Sequence, residues 1–305
     1  MNILIVSFPS STSYIGGEEQ IAKNLKKYLE PFHNVIISSR EDLELHLDDI
    51  DFVLSLNIPI KIIRKKNIIW ATWIFNTNLG STAKEITNYN FDIYFTNSEI
   101  IHSQIKDSIY LEIPPSDDYL PSTRKIDSNT EILYLGNYNP EYKTVDKINH
   151  YLIPCLKYNF SIFGYKWKTI EQQEIYNQGR LSHEHITNIY NNFSRGLYPL
   201  IDCDIISQQS KLAINFHSPD QMTLDMINNR MYDLLLNGCF IITDDTLKQR
   251  RIFGDAIEYS SGGNDLNEKI SYYLSNPHLI NEKKEKAKIL GKEIYDKNNY
   301  QIVSR

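Results

Sequence analysis

The chain has 305 residues, about twice a typical domain, so its length allows two domains or one large α/β unit. Hydrophobic residues make up 41% and charged residues 23%, the mix of an ordinary globular chain that can bury a large core. The balance of 32 basic against 38 acidic side chains, net -6, argues against a protein whose main task is gripping a polyanion, although a local basic patch could still hold a phosphate.

The first apolar run, residues 3–8, is too short for a signal peptide and has the continuous pattern of a strand buried on both faces, as in a parallel sheet. A polar loop follows, then Gly16-Gly17-Glu18-Glu19 and an amphipathic helix with Ile21, Ala22, Leu25, Tyr28 and Leu29 at helical spacing. Short apolar runs at 34–38, 52–56, 68–73 and 93–96 predict further strands, separated by helices or polar loops. The stretch 58–75 is broken by Lys61, Arg64, Lys65 and Lys66, so no membrane span is expected. Around 113–129 the sequence turns to Pro, Ser, Thr, Asp and Asn, the composition of a linker. A second series then predicts strands at 131–136, 160–163, 212–216, 240–243 and 256–259, with helices at 146–158, 223–237 and 265–275. The Lys- and Glu-rich helix expected at 281–297 reads most simply as a solvated face. Strand alternating with helix on this scale predicts open, doubly wound α/β sheets, two of them, with a cleft between the halves and ligands at the carboxyl ends of the strands. Cys155, Cys203 and Cys239 are scattered and form no C-x-x-C, which points to reduced thiols and a cytoplasmic protein rather than a disulfide or zinc scaffold.

Two places could carry chemistry. Gly16-Gly17 before a helix lets the backbone turn tightly and offers free N–H groups to an anion, but the spacing is not the G-x-G-x-x-G dinucleotide fingerprint. On the helix expected at 223–237, Asp225, Asn229 and Asp233 would lie within about 80° of one another with Arg230 beside them. Leu224, Ile227, Met231, Leu234 and Leu235 would form the opposite face. Such a polar stripe is either a solvated surface or a ligand site in which a carboxylate accepts hydrogen bonds from hydroxyls and Arg230 meets a phosphate. His217, at a strand end, could donate to a phosphate or sugar or serve the structure only. His183 and His185 lack a third ligand, so no metal site is expected.

The block running from Asn229 through Arg230, Asp233 and Gly238 to Thr243-Asp244 resembles the Arg-x-x-Glu … Gly … Thr-Asp block of GT-B fold glycosyltransferases, closest to the spore-maturation-protein-like (glycosyl transferases group 1) family. Other pieces agree in order: Gly16-Gly17-Glu18-Glu19, Asp92 to Asn97, Leu135-Gly136-Asn137, Phe163-Gly164 with Trp167, and Lys211 to His217. The resemblance implies two Rossmann-like domains facing across a cleft. These would be an acceptor-side domain at 1–125, a nucleotide-sugar donor domain at 126–285, and a final helix, 286–305, crossing back to the first. It implies transfer of a sugar from a nucleoside diphosphate sugar, a UDP-sugar favoured, to an acceptor it leaves open (glycan, protein or small molecule). The transfer would be retaining and use no bound metal or cofactor.

By the same resemblance, Asp225 and Asp233 stand where related retaining enzymes carry a Glu-x7-Glu pair, each one methylene shorter. The second position binds the ribose hydroxyls. Arg230 would help neutralise the diphosphate, making Asp225 and Arg230 the candidate catalytic pair. Gly16, Gly17, Gly136, Asn137 and Gly164 would line the diphosphate groove, with Lys166 or Lys168 sharing the charge, and His217 and Asn229 complete the expected substrate-binding set. Residues 70–76 contain no His or Asp, so no catalytic base is named from the first domain. Two rivals remain: a non-catalytic nucleotide-sugar or glycan binder, and a phage-type DNA-base glycosyltransferase, which the net charge disfavours.

Overall fold

Apolar runs four or five residues long, with no polar alternation, bury themselves only when helices cover both faces of the sheet they form. In the computed structural model, which describes residues 1–7, 17–63, 67–76, 82–113, 130–136, 145–164 and 200–303, they do so in two compact units. Unit 1 comprises Met1–Asp117 with Thr223–Asn229 and Tyr295–Arg305; unit 2 comprises Asp118–Met222 with Arg230–Ile294.

In unit 1 the described elements run β1 (Asn2–Val6), α1 (Gly17–Leu29), β2 (Asn34–Ser38), a 3-10 turn (Leu43–Asp49), β3 (Phe52–Leu56), β4 (Ile69–Ile74), α2 (Ala83–Thr87), β5 (Ile93–Thr96), α3 (Glu99–Gln104) and β6 (Ile109–Tyr110). The strands form one parallel sheet in the order β2-β1-β3-β4-β5-β6. Ile3, Leu4, Ile5 and Val6 of β1 are all buried, as the unbroken apolar run requires. α1 carries Glu18 and Glu19 in its first turn and Lys26 and Lys27 in its last, which complements the helix dipole, and it turns Ile21, Ala22 and Leu25 inward. Asp51 sits at the amino end of the sheet, where its carboxylate accepts the Asn2 N–H at 2.8 Å.

Unit 2 contains β7 (Ile132–Leu135), α4 (Val145–Tyr151), a 3-10 turn (Ile153–Lys157), β8 (Phe160–Phe163), α5 (Leu200–Gln209), β9 (Leu212–Ile214), α6 (Pro219–Thr223), α7 (Asn229–Leu236), β10 (Ile241–Thr243), α8 (Leu247–Phe253), β11 (Glu258–Tyr259), α9 (Gly263–Ser275) and α10 (Pro277–Val303). Its parallel sheet has the order β11-β10-β9-β7-β8. Counted from its own first strand this is 2-1-3-4-5, the order of the first five strands of unit 1. Each sheet therefore reverses its winding once, between β1 and β3 in unit 1 and between β7 and β9 in unit 2. That is where doubly wound sheets bind ligands.

Three expectations change. The helix expected at 223–237 is two helices with a non-helical segment between them, and Asp225 there has the left-handed φ of 50°. Leu224 and Met226 both pack with Ile74, Ile86, Ile101 and Ile105 of unit 1. In a helix, residues two apart point about 200° apart and could not share that core. The Leu224 carbonyl accepts from the Ser98 hydroxyl at 2.5 Å and the Ile227 carbonyl from the Asn97 amide at 3.4 Å, replacing helical bonds. The helix expected at 146–158 ends at Tyr151 and passes into the 3-10 turn at whose start Pro154 has no N–H to give.

The final helix is more than a solvated face. Lys284 donates to the carbonyls of Gln208 and Ser210 where α5 ends, Lys283 donates to the Asp255 carbonyl, and Lys286 pairs with the Asp255 carboxylate at 2.6 Å. Its last residues, from Tyr295, count with unit 1, where the Tyr295 and Tyr28 hydroxyls are 2.8 Å apart.

Candidate active site

At the switch point of unit 2, Gly136 directly follows β7 and Asn215 directly follows β9, and α7 sends Arg230 toward both. The Arg230 guanidinium lies 5.1 Å from the centroid of the Tyr134 ring and donates to Asn215 Oδ1 at 3.1 Å. Tyr134 in turn stacks on Phe216, with ring centroids 5.1 Å apart. Burial pushes the Tyr134 phenol up, and the charge and hydrogen bond of Arg230 pull against that. A Cβ at Gly136 would fall 2.6 Å from Arg230 Nη2 and 2.7 Å from the Tyr134 hydroxyl, so only glycine lets the guanidinium lie across the end of the strand. Arg230 and Gly136, widely separated in sequence, thus meet at one point.

From Arg230 a chain of polar contacts crosses the carboxyl ends of β9 and β10. Asn215 Nδ2 donates to Thr243 Oγ1 at 3.3 Å, and Thr243 donates to Asp244 Oδ1 at 3.2 Å. Asp244 is the junction. Its Oδ1 lies 2.7 Å from His217 Nδ1, while its Oδ2 accepts the His217 backbone N–H at 2.9 Å and Lys147 Nζ at 2.7 Å. Burial opposes the ionised form of Asp244, but His217 and Lys147 outweigh it and hold the carboxyl well below the usual carboxylate range. His217 is fully buried, and its Nε2 has no hydrogen-bond partner among the described residues. Lys147, on α4, keeps part of its side chain exposed at 17%. The edge therefore carries two cations, Arg230 and Lys147, fastened through a single buried carboxylate.

Asp233 lies one turn along α7 from Arg230 and is half-buried, on the same side of the helix. Asp225 does not share that helix and counts with unit 1. So does Asn229, whose amide stands against Gly17: a Cβ there would lie 2.6 Å from Asn229 Nδ2. Glu18, next to Gly17, is hydrogen-bonded to the Asn76 side chain; burial raises its carboxyl above the ordinary value, and hydrogen bonds to its own backbone N–H and to Asn76 partly offset that. Gly164 directly follows β8 and is half-buried. Gly16, Asn137, Lys166, Lys168, His183 and His185 lie outside the described residues.

Lys147, Asp244 and Glu18 were not among the expected site residues. Asp244 ends the Thr-Asp pair of the resemblance, which was the available signal for it. Glu18 stands in the Gly16-Gly17-Glu18-Glu19 piece of the same resemblance, whereas Lys147 carries no signal, because its partner is distant in sequence. Among the described residues no group of three or more His, Cys, Asp or Glu could hold a metal ion, and no helix is long and apolar enough to cross a membrane.

A family model described as glycosyl transferase-like matches residues 145–298, just over half of the chain and most of unit 2. Comparison with curated protein sequences finds no match. Among solved structures, the chain is similar to sucrose-phosphate synthase from Thermosynechococcus elongatus, with a TM-score of 0.73 at 9% identity, covering 99% of this chain and 97% of that one. It is similar to HepE of Anabaena in complex with UDP and glucose, at 0.67 and 10%, over 100% and 98% of the two chains. It is also similar to the T4 phage BGT in complex with UDP and Mn2+, at 0.68 and 12%, again over 100% and 98%. At such identities the likeness establishes the fold, and the family match supplies the activity. Two parallel sheets of one strand order, the second bearing paired cations at its switch point, agree with both: the chain belongs to the glycosyl transferase-like family and is a glycosyltransferase of the GT-B fold.

Proposed function

We propose that the chain transfers a sugar from a UDP-sugar to an acceptor hydroxyl with retention of configuration and without a bound metal. The observation that carries the reading is the polar chain from Arg230 through Asn215 and Thr243 to Asp244, His217 and Lys147, at the place where a doubly wound sheet receives its ligand. Arg230 and Lys147 meet the diphosphate, and Gly136 leaves room for its approach. Asp233 accepts hydrogen bonds from the ribose hydroxyls. UDP is favoured as the nucleotide because HepE and the T4 phage BGT were solved with it.

In the reaction the bond from the sugar's C1 to the diphosphate oxygen breaks and a bond from C1 to the acceptor oxygen forms. The acceptor proton leaves on the departing UDP. Charge grows on the diphosphate as that bond stretches, so preorganised cations stabilise the transition state more than the ground state.

Thermal-shift measurements with UDP, GDP, CDP and their sugars test the reading without an acceptor. A ligand at a hundred times its Kd stabilises by about 2.7 kcal/mol. UDP and a UDP-sugar are expected to raise Tm most, and Asp233→Ala to weaken that response. No shift with any nucleotide would overturn the donor site, and an unchanged response in Asp233→Ala its ribose contact. Retention is read from the anomeric configuration of the product by NMR, and metal independence from turnover that persists in EDTA. An inverted product, or turnover lost to the chelator, removes the corresponding part of the proposal.

A further inference from the structure

The segment between α6 and α7 counts with unit 1, and the residue after its last one is Arg230. Its course is not helical: Asp225 has the left-handed φ of 50°, while Leu224, Met226 and Ile227 are all buried. Two adjacent side chains that directly follow β5 hold its backbone. The Ser98 hydroxyl donates to the Leu224 carbonyl at 2.5 Å, and the Asn97 amide donates to the Ile227 carbonyl at 3.4 Å. Both holders are fully buried and are fixed in turn. Asn97 donates its backbone N–H to the Ile74 carbonyl at 3.2 Å. Ser98, the N-cap of α3, donates its own N–H to Thr96 Oγ1 and accepts the Ile101 N–H, each at 3.1 Å. A buried carbonyl that loses its donor is costly, so the segment cannot slide or turn without giving up both bonds. At its end Asn229, the first residue of α7, stands against Gly17, where a Cβ would fall 2.6 Å from Asn229 Nδ2.

The first N–H groups of a helix have no partner within it, so the direction in which a helix sets out depends on the residues that precede it. Arg230 is the second residue of α7, and its guanidinium is held at the tip by Asn215 and Tyr134. The segment holds the other end, the backbone from which the side chain springs. We propose that Asn97 and Ser98 are positioning residues for sugar transfer: by fixing the Leu224 and Ile227 carbonyls they set the first turn of α7 and so aim the Arg230 guanidinium at the diphosphate. The inference rests on the reading of Arg230 as a diphosphate contact. A cation stabilises a departing diphosphate only where it is held in advance, and a misplacement of about 1 Å costs about a hundredfold in rate.

The test is a double-mutant cycle in the full chain, read as UDP and uridine affinity by isothermal titration. Ser98→Ala and Asn97→Ala each remove one donor, alone and combined with Arg230→Ala, and Ser98→Thr keeps the hydroxyl. In the otherwise native chain either alanine is expected to weaken UDP about tenfold and uridine less than about twofold, with Ser98→Thr close to the parent. With Arg230→Ala present, the same alanines are expected to cost less than about twofold for UDP, because the guanidinium they aim is gone. A loss that came from the stability of unit 1 would persist in both backgrounds. The two alanines act on different carbonyls, so if loss of the α3 cap keeps Ser98→Ala from folding, Asn97→Ala decides the matter. Unchanged UDP affinity in the alanine variants, equal losses in both Arg230 backgrounds, equal losses for uridine, or a Ser98→Thr as weak as Ser98→Ala would overturn the inference and leave the Arg230 contact standing. UDP affinity unchanged by Arg230→Ala alone would take down that contact, and this inference with it.

Discussion

Replacing Gly291 by alanine sets two effects of opposite sign against each other. Gly291 is a buried residue of α10, and a Cβ there would fall 2.6 Å from the backbone C and O of Leu235 and from the backbone N of Leu236, in α7. Carbon contacts relax at about 3.5–4 Å, so one helix must retreat by roughly 1 Å. Leu234, Leu235 and Leu236 are themselves buried, and a helix backbone cannot swing aside as a side-chain tip can. Overpacking of this kind costs about 1–3 kcal/mol. Against it, alanine in a helix interior is better than glycine by about 1 kcal/mol. Three backbone atoms struck at once place the cost at the upper end, leaving a net loss of about 1–2 kcal/mol, or a Tm lower by about 2–8 °C. Because α7 carries Arg230 and Asp233, its displacement should also weaken UDP binding, by about tenfold for 1.4 kcal/mol. Thermal denaturation and isothermal titration with UDP measure the two effects. A variant as stable as the parent, or more stable, would refute the reasoning: helix propensity would have won, and α10 would not set the position of α7.

Two further outcomes bear on the same edge. Arg230→Ala should weaken UDP by about 1.5–3 kcal/mol, the range for hydrogen bonds to charged groups, and weaken uridine much less; equal losses in titrations with both would make Arg230 purely structural. Asp244→Asn breaks a buried pair from one side and should destabilise the protein at pH 7 by about 3–5 kcal/mol. Since the folded Asp244 carboxyl is held below its unfolded value, its contribution is full above about pH 4 to 5 and is lost as pH falls through the folded value. The gap between wild type and variant in urea unfolding should therefore narrow below pH 4, and a gap that widens there contradicts the assignment of Asp244 as an ionised junction.

Much of the fold is legible in the chain because its central strands are unambiguous. Runs such as Ile3-Leu4-Ile5-Val6 have no polar face, so only a covered parallel sheet accommodates them. The two-residue strand β6 and the short helices α2, α3 and α8 are too brief to set up a period, and they become visible only once packed. The segment after Thr223 shows the opposite error. Its apolar residues fit a helical period, yet Leu224 and Met226 are drawn together into the core of unit 1 and the helix is interrupted. Lys283, Lys284 and Lys286 look like a solvated stripe until the carbonyls and carboxylate they reach are in place.

The same division holds for the site. Glycines before helices, the motif order and the Arg230 to Asp244 block are local patterns, and they were enough to point to a GT-B glycosyltransferase and to single out Arg230 and Gly136. Length and net charge are properties of the whole chain, and they set only the expectation of two domains with a mildly acidic surface. What no local pattern contains is which distant groups meet. Lys147 reaches Asp244 across 97 positions, and His217 reaches it across 27. Asn57 becomes a buried amide without a described partner only when β1, β3 and β4 are side by side. Strands and helices follow from periodicity, a property of neighbours in the chain. Charge pairing and the burial of polar groups depend on neighbours in space, so they were decided only when the sheets closed around them.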